Sequence, residues 1–453
     1  MAETSRGPAA ETLLESADVV IIGGGPAGST AAALLASAGR KVILFEKETF
    51  PRFHIGESLL PFNLPLFGRL GITDLMDRRF IRKRGAVLFS SDGSVERYVR
   101  FADGIVSGHP MAYQVLRSSF DEMLLRNAQR LGASVHQGFT VGEVRCSHRN
   151  GCDVTATDKT GTVVRARGRF LLDASGRDAF LATRRGLRRM TPHLRKAAVF
   201  AHYTGVKREV GDRAGDIVLV LLRDGWFWMI PLPDGVTSVG LVAEGSRLKE
   251  CGLPPIELLE ESLRRCPAAA ERMTDARRVS QVWGASDYSY ECKEVAGDGY
   301  LLMGDAAAFI DPVFSTGVWL AMSSAELAAD ALDRALGRDG APGDLSPAVF
   351  ARYERKVLHH VKTYTRFVTR FYQPGFMDVF LQPAGPFLIR ESVISLLAGL
   401  ADPPLSVRAR HWVFYLLLSL QRRFTYMPPV PLLGVLEQGM DHAFPARDLT
   451  RSP

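Results

Sequence analysis

The 453-residue chain has little cysteine: five residues, none in a C-x-x-C pair. That excludes a disulfide framework and a cysteine zinc site, and implies a reduced, cytoplasmic setting. No uncharged apolar run approaches the roughly 18 residues that cross a bilayer. The longest, Trp412 to Leu420, is far shorter and runs into Arg422 and Arg423. The segment up to Asp18 lacks a basic start and an apolar stretch, so no secretory signal is expected. Internal repeats and low-complexity tracts are missing. The net charge of +7 is spread over short groups at Arg78–Arg84, Arg184–Arg189 and Arg352–Lys356. No stacking or groove-reading motif accompanies it, which argues against nucleic acid. An anionic cofactor or an acidic carrier domain is the better use of that charge.

What remains is an ordinary globular composition, 46% apolar and 23% charged, with length for two or three domains. Residues 1–16 are small and polar and read as a disordered lead-in. Asp18–Ile22 is a buried apolar strand followed by glycines. Ala31–Ala38 then reads as a helix stopped at Gly39, and Lys41–Phe45 as a second strand. This β-α-β unit predicts a doubly wound parallel sheet with its ligand at the carboxyl ends of the strands. Val135–Asp158, Gly161–Leu172 and Gly215–Val242 alternate in strand fashion and predict a largely antiparallel second sheet. Tyr300–Met303 returns to a buried strand. Residues 346–440 read as helices cut by prolines. The expected organisation is α/β: a Rossmann-like dinucleotide-binding domain (17–345) interleaved with a β-sheet substrate domain (about 190–290), and a C-terminal helical region (346–453).

Three elements carry the cofactor reading. Gly23-Gly24-Gly25-Pro26-Ala27-Gly28, followed by Ser29, is a G-x-G-x-x-G that closes a strand and opens a helix. Its glycines allow a tight turn and close backbone approach to a pyrophosphate on the helix N-terminus. Glu46 ends the next strand, where a carboxylate accepts from an adenosine ribose. Gly304-Asp305-Ala306-Ala307-Ala308 and Asp173-Ala174-Ser175-Gly176-Arg177 are two further strand ends rich in small residues. Each alone could be a helix cap. Together they choose FAD over NAD.

With these, Gly56-Glu57-Ser58-Leu59, Trp226-Phe227-Trp228-Met229-Ile230-Pro231 and the stretch Gly304–Gly317 resemble the flavin-dependent halogenases, in particular the phenol and pyrrole branch. The W-x-W-x-I-P string is similar to a motif that separates that family from flavin hydroxylases of the same fold. Its plainer reading is two core tryptophans on one strand face. The resemblance implies the monooxygenase-type FAD fold and a reaction in which reduced FAD, O2 and chloride or bromide give hypohalous acid. That acid travels to a lysine, and Lys83, after the glycine-glutamate-serine segment, matches its place. Read by itself, Lys83 is one cation in the solvated run Arg82–Arg84. Ser315, Thr316 and Gly317 match the family's halide-binding turn, an anion nest of backbone N–H groups. Tryptophan halogenases carry a glutamate just before the serine; here Phe314 stands there, which favours a phenol or pyrrole over tryptophan. Arg117 and Asp121 match an R-x-x-F-D pattern, with an i,i+4 salt bridge as the plainer reading. Lys47, Arg52, Ser58, Pro312 and Val318 complete the FAD set that the resemblance implies. His54, with no visible partner, reads as structural.

The implied activity is aromatic chlorination or bromination in natural-product biosynthesis. The substrate would be free or bound to an acyl or peptidyl carrier protein. No second nucleotide motif is present for NADPH, so a separate flavin reductase is expected. The alternatives are an NADPH-dependent aromatic hydroxylase and a flavin-dependent isoprenoid reductase.

Overall fold

A strand with buried Val19, Val20 and Ile21 organises the first sheet. The computed structural model describes residues 12–106, 109–191, 194–286, 289–337, 343–382 and 386–437. Strand β1 (Thr12–Ile22) lies between β2 (Val42–Glu46) and the strand Val163–Asp173, parallel to both. Ser134–Gln137 and Tyr300–Leu302 extend the parallel order on either side. Helix α1 (Pro26–Ser37) is the crossover between β1 and β2, with proline at its first turn and Gly25 as its N-cap. Proline's missing N–H is no loss there, because that donor has no intrahelical partner.

Two sequence expectations change. The disordered lead-in does not extend to residue 16, because Thr12–Ala17 pair with Val163–Gly168. Local composition does not reveal a strand whose ordering comes from a distant partner. The stretches 135–158 and 161–172 belong to the first sheet rather than the second. The continuous buried run Phe170–Leu172 suits a sheet interior covered on both faces.

The second sheet is antiparallel over Lys196–Thr204, Thr237–Glu244, Gly225–Pro231 and Ile217–Leu221. It also takes in Gly85–Ser90, which pairs in parallel with Ile217–Leu221, and Glu96–Arg100. Its sequence window is thus wider than 190–290. Alternation sorts its central strand: Trp226, Trp228 and Ile230 join the main core, whereas Phe227 and Met229 join a second core beneath the sheet. The return to the first domain at Tyr300–Leu302 leads into helix α3 (Thr316–Ala335), which follows α1 and α2 (Arg117–Arg130) in the chain. Beyond it come α4 (Ala351–Phe371), α5 (Ile389–Leu397) and α6 (Leu405–Phe424). Helix ends at Phe424. The remaining described segment runs back to the second sheet, where Leu433 N–H donates to Ser91 Oγ at 2.6 Å. No described helix is long and apolar enough to cross a membrane.

Candidate active site

A cavity of about 610 Å³ opens where the strand ends of the first sheet face the second sheet. Two helix N-termini converge on it, those of α1 and α3. The first N–H groups of each helix have no intrahelical acceptor, so the cavity receives two sets of backbone donors and two positive dipole ends. Gly23, Gly25, Pro26 and Ala27 line it. Gly28 and Ser29 do not. A Cβ on Gly28 would come within 1.8 Å of the Gly23 carbonyl oxygen, and Ser29 Oγ donates to the Gly24 carbonyl at 2.7 Å. Those two residues hold the turn closed behind the lining.

Glu46 lines the cavity and also braces the turn. Its carboxylate accepts from Gly24 N–H at 2.6 Å and from Glu48 N–H at 2.8 Å. Lys47, Arg52, Ser58, Arg117, Asp305, Pro312 and Val318 are wall residues as well. Arg117 is held by a two-pronged ion pair to buried Asp121, both contacts at 2.8 Å. The i,i+4 salt bridge and the cavity-facing arginine are therefore one feature, and the bridge is buried rather than on the surface. Arg52 pairs with the same carboxylate. Burial pushes the Asp305 carboxyl up to about 6, with Arg117 and Arg177 pulling the other way. Burial, aided by Arg117, drives the His54 imidazole down to about 4, so it is neutral and not a charged partner. Asp173 does not reach the cavity. Its oxygens accept from Ser175 N–H at 3.0 Å and Leu181 N–H at 2.8 Å, fixing the strand end.

The residues present fit an FAD. The glycine turn leaves a cradle, cationic Arg52, Arg117, Arg177 and Lys47 surround it, and a long apolar wall continues through Trp226, Trp228 and Ile230. The two tryptophans are therefore both core and lining; their rings lie 5.8 Å apart. Ser315 and Gly317 line the far end. Ser315 adopts a left-handed conformation (φ 57°) that turns the chain into α3. A Cβ on Gly317 would meet nothing within 4 Å, so open space lies over that backbone. Thr316 is buried outside the lining, and its hydroxyl has no partner among the described residues. Phe314 packs its ring on Phe367 at 4.8 Å and Phe371 at 5.3 Å, which leaves no acid–base group at that position.

Lys83 is not a solvated cation. It is 2% exposed, at the end of a short strand paired with Ala112–Gln114. Its Nζ donates to Ser58 Oγ at 2.8 Å and to the Leu59 carbonyl at 3.3 Å, and lies 5.1 Å from the Phe101 ring centroid. Burial lowers its ammonium to about 7, partly offset by Asp216. Ser58 is in the cavity wall and Lys83 is behind it. The run of cations around residue 83 hid this burial, because only alternate residues of a strand face outward.

One connection had no sequence signal. Tyr372, just after α4, donates to Asp311 Oδ2 at 2.9 Å and accepts from Trp226 Nε1 at 2.9 Å. Lys196 Nζ sits 4.0 Å from the Tyr372 ring centroid. This strut ties the loop carrying Pro312–Gly317 to the tryptophan wall. Burial raises the Asp311 carboxyl to about 6.

The tryptophan halogenase family model matches residues 18–100 and 94–375. A 1H-pyrrole-2-carbonyl peptidyl-carrier-protein chlorinase of Pseudomonas fluorescens is 32% identical over 382 residues, covering 79% of this chain and 83% of that protein. The crystal structure of a flavoprotein/dehydrogenase from Cytophaga hutchinsonii superposes with a TM-score of 0.82 at 28% identity, over 90% of this chain and 99% of that one. A myxobacterial chondrochloren halogenase, a variant of the FAD-dependent halogenases, superposes with a TM-score of 0.73 at 30% identity, over 91% of each chain.

Proposed function

The chain belongs to the tryptophan halogenase family of flavin-dependent halogenases, and from that premise we propose that it chlorinates or brominates a pyrrole carried as a thioester on a carrier protein. The likeness to the Pseudomonas fluorescens chlorinase supports the carrier-bound pyrrole. So does Phe314, which suits a ring rich enough in electrons to lose its proton without a glutamate. Electron-rich phenols satisfy the same condition and are the second substrate class to test.

When bound, reduced FAD would supply two electrons and two protons, with which O2, a halide and one further proton would give water and hypohalous acid. The chain's own contribution is positional. Arg52, Arg117 and the amides at the start of α1 hold the pyrophosphate. The amides of Ser315–Gly317, with the positive end of α3 behind them, hold the halide. Trp226, Trp228 and Ile230 keep water from the path. Ser58 marks the passage, and Lys83 receives hypohalous acid by a hydrogen bond, or its neutral amine takes the halogen as an N-halo amine while the amine's proton and the acid's hydroxyl leave as water. The ring then takes the halogen and gives up a proton, which regenerates the lysine. The single observation that carries this reading is a buried lysine of lowered basicity, 2.8 Å behind a serine of the cofactor cavity. A separate reductase supplies the reduced flavin, since the sequence has one dinucleotide motif.

The test is to supply reduced FAD and O2 to pyrrole-2-carbonyl carrier protein with chloride, with bromide and with neither, and to weigh the product. Halide-dependent halogen incorporation is expected. A hydroxylated product formed without halide overturns the reading in favour of a hydroxylase.

A further inference from the structure

Helix α6 has an unusual outer face. Its 20 residues include four arginines and no carboxylate. Val407, His411, Phe414, Tyr415, Leu418 and Gln421 point inward. Yet Trp412, Leu416 and Leu420, spaced by four, stay exposed on one stripe, Trp412 by 60%. Leu405 and Phe424 prolong the stripe to both ends. Monomeric proteins seldom leave a contiguous apolar strip of this kind uncovered. Arginines frame it and are already ordered. The Arg366 guanidinium stacks 4.5 Å from the Trp412 ring centroid, and Arg410 Nε donates to the Phe387 carbonyl at 2.8 Å. Residues 346–437 hold eleven Lys and Arg against five Asp and Glu, so most of the net +7 lies in this region.

The position of the stripe bears on Lys83. The Phe101 ring beside Lys83 belongs to a small apolar cluster with Ala112 and Ala398. Ala398 caps α5, and α5 is bonded to α6 through His411 Nε2 and the Ser392 carbonyl at 2.8 Å. One helix therefore separates the stripe from the lysine's surroundings, about 20 Å across two interhelical spacings.

We infer that the exposed face of α6 is the docking surface for the substrate's carrier: a compact acidic protein that lays an apolar helix along Trp412, Leu416 and Leu420, places carboxylates against the flanking arginines, and reaches toward Lys83 with a thioester-bearing arm. This rests on the carrier-bound reading of the substrate. Fixed, stacked arginines suit the fixed carboxylates of a folded partner, because their ordering is complete before association. A lipid surface would meet the same stripe but would not bring a tethered ring to the lysine.

The test uses the full FAD-loaded chain and fluorescently labelled carrier protein charged with pyrrole-2-carbonyl thioester. Binding is read by anisotropy in the wild type, in Trp412→Ser/Leu416→Ser and in Arg422→Glu/Arg423→Glu. All substituted positions are exposed, so FAD content and melting temperature should hold. The expected result is a loss of carrier affinity of about 30-fold in each variant. Turnover of the pyrrole-2-carbonyl pantetheine thioester, which needs no docking, should be unchanged. Carrier binding equal to the wild type overturns the proposal. So does loss of binding to phosphatidylserine–phosphatidylcholine vesicles, or of self-association in sedimentation, with carrier binding intact. If the carrier binds at α6 but no halogenated pyrrole forms, the docking surface stands and the substrate reading falls.

Discussion

Lys83 Nζ and Ser58 Oγ lie 2.8 Å apart, on opposite sides of a cavity wall. The serine faces the space that fits FAD; the lysine faces Phe101 and the helices beyond it. Ser58 is thus the cavity-wall residue bonded directly to Lys83. Ser58→Ala should lower halogenation about tenfold, as loss of one buried hydrogen bond to a charged group would. FAD affinity should move less than about twofold by flavin fluorescence, since the glycine turn, Arg52 and Arg117, proposed to hold the pyrophosphate, are untouched by this change.

Lys83 should also act on stability, with a definite pH sign. Its amine titrates near 7 in the fold, against 10.5 for the ordinary side chain, because burial disfavours the ammonium. Between those values the unfolded chain binds more protons, so unfolding becomes harder as pH rises through that window. Below pH 7 the whole burial penalty applies. Lys83→Met should therefore raise the melting temperature by a few degrees at pH 6.5, at about 1 °C per kcal/mol for a chain of this length, with a smaller gain at pH 9.5. Differential scanning fluorimetry at the two pH values checks this. A lower melting temperature at pH 6.5 would mark a lysine held for stability.

Two glycines should respond in opposite ways. Gly28→Ala forces a Cβ against the Gly23 carbonyl oxygen and should abolish FAD retention. Gly317→Ala adds a methyl where the protein has no atom within 4 Å, so folding and FAD content should persist. Its methyl enters the space over the Ser315–Gly317 amides, and the halide KM should rise about tenfold, as loss of one charge-assisted hydrogen bond implies.

Tyr372→Phe removes the hydroxyl between Asp311 and Trp226. It strands an indole N–H and a carboxyl oxygen in the interior, at about 1–3 kcal/mol each. The melting temperature should drop and tryptophan emission should shift. Asp311 titrates near 6 because it is buried, so it is an anion at pH 7 and mostly neutral at pH 5.5. Neutralising it removes a negative charge four residues before Ser315, the start of the turn proposed to hold the halide. The halide KM of the wild type should therefore fall between pH 7 and 5.5, and steady-state kinetics at varied halide test that.

The glycine turn that lines the cavity was legible in sequence because its parts are local. Gly23–Gly28 and Glu46 sit within one β-α-β unit, and a tight turn against phosphate demands those residues. Trp226 and Trp228 announced a shared strand face through i,i+2 spacing. Other features were out of reach because they arise from distant pairing. Thr12–Ala17 become a strand only beside Val163–Gly168. Glu46 lines the cavity, but its bonds to Gly24 and Glu48, like those of Asp173 to Ser175 and Leu181, show only in the folded chain. Tyr372 carries no motif, and its role follows from where α4 ends relative to Trp226 and Asp311.

The most direct measurement compares oxygen uptake with halogenated product in Lys83→Met, supplied with reduced FAD, chloride and pyrrole-2-carbonyl carrier protein. Oxygen uptake at the wild-type rate is expected, with product reduced by about 10²–10⁴-fold, the range for loss of a positioned group that acts on the reacting atoms. Halogenated product at the wild-type rate would show that the oxidised halogen reaches the ring without residue 83, and would contradict the account.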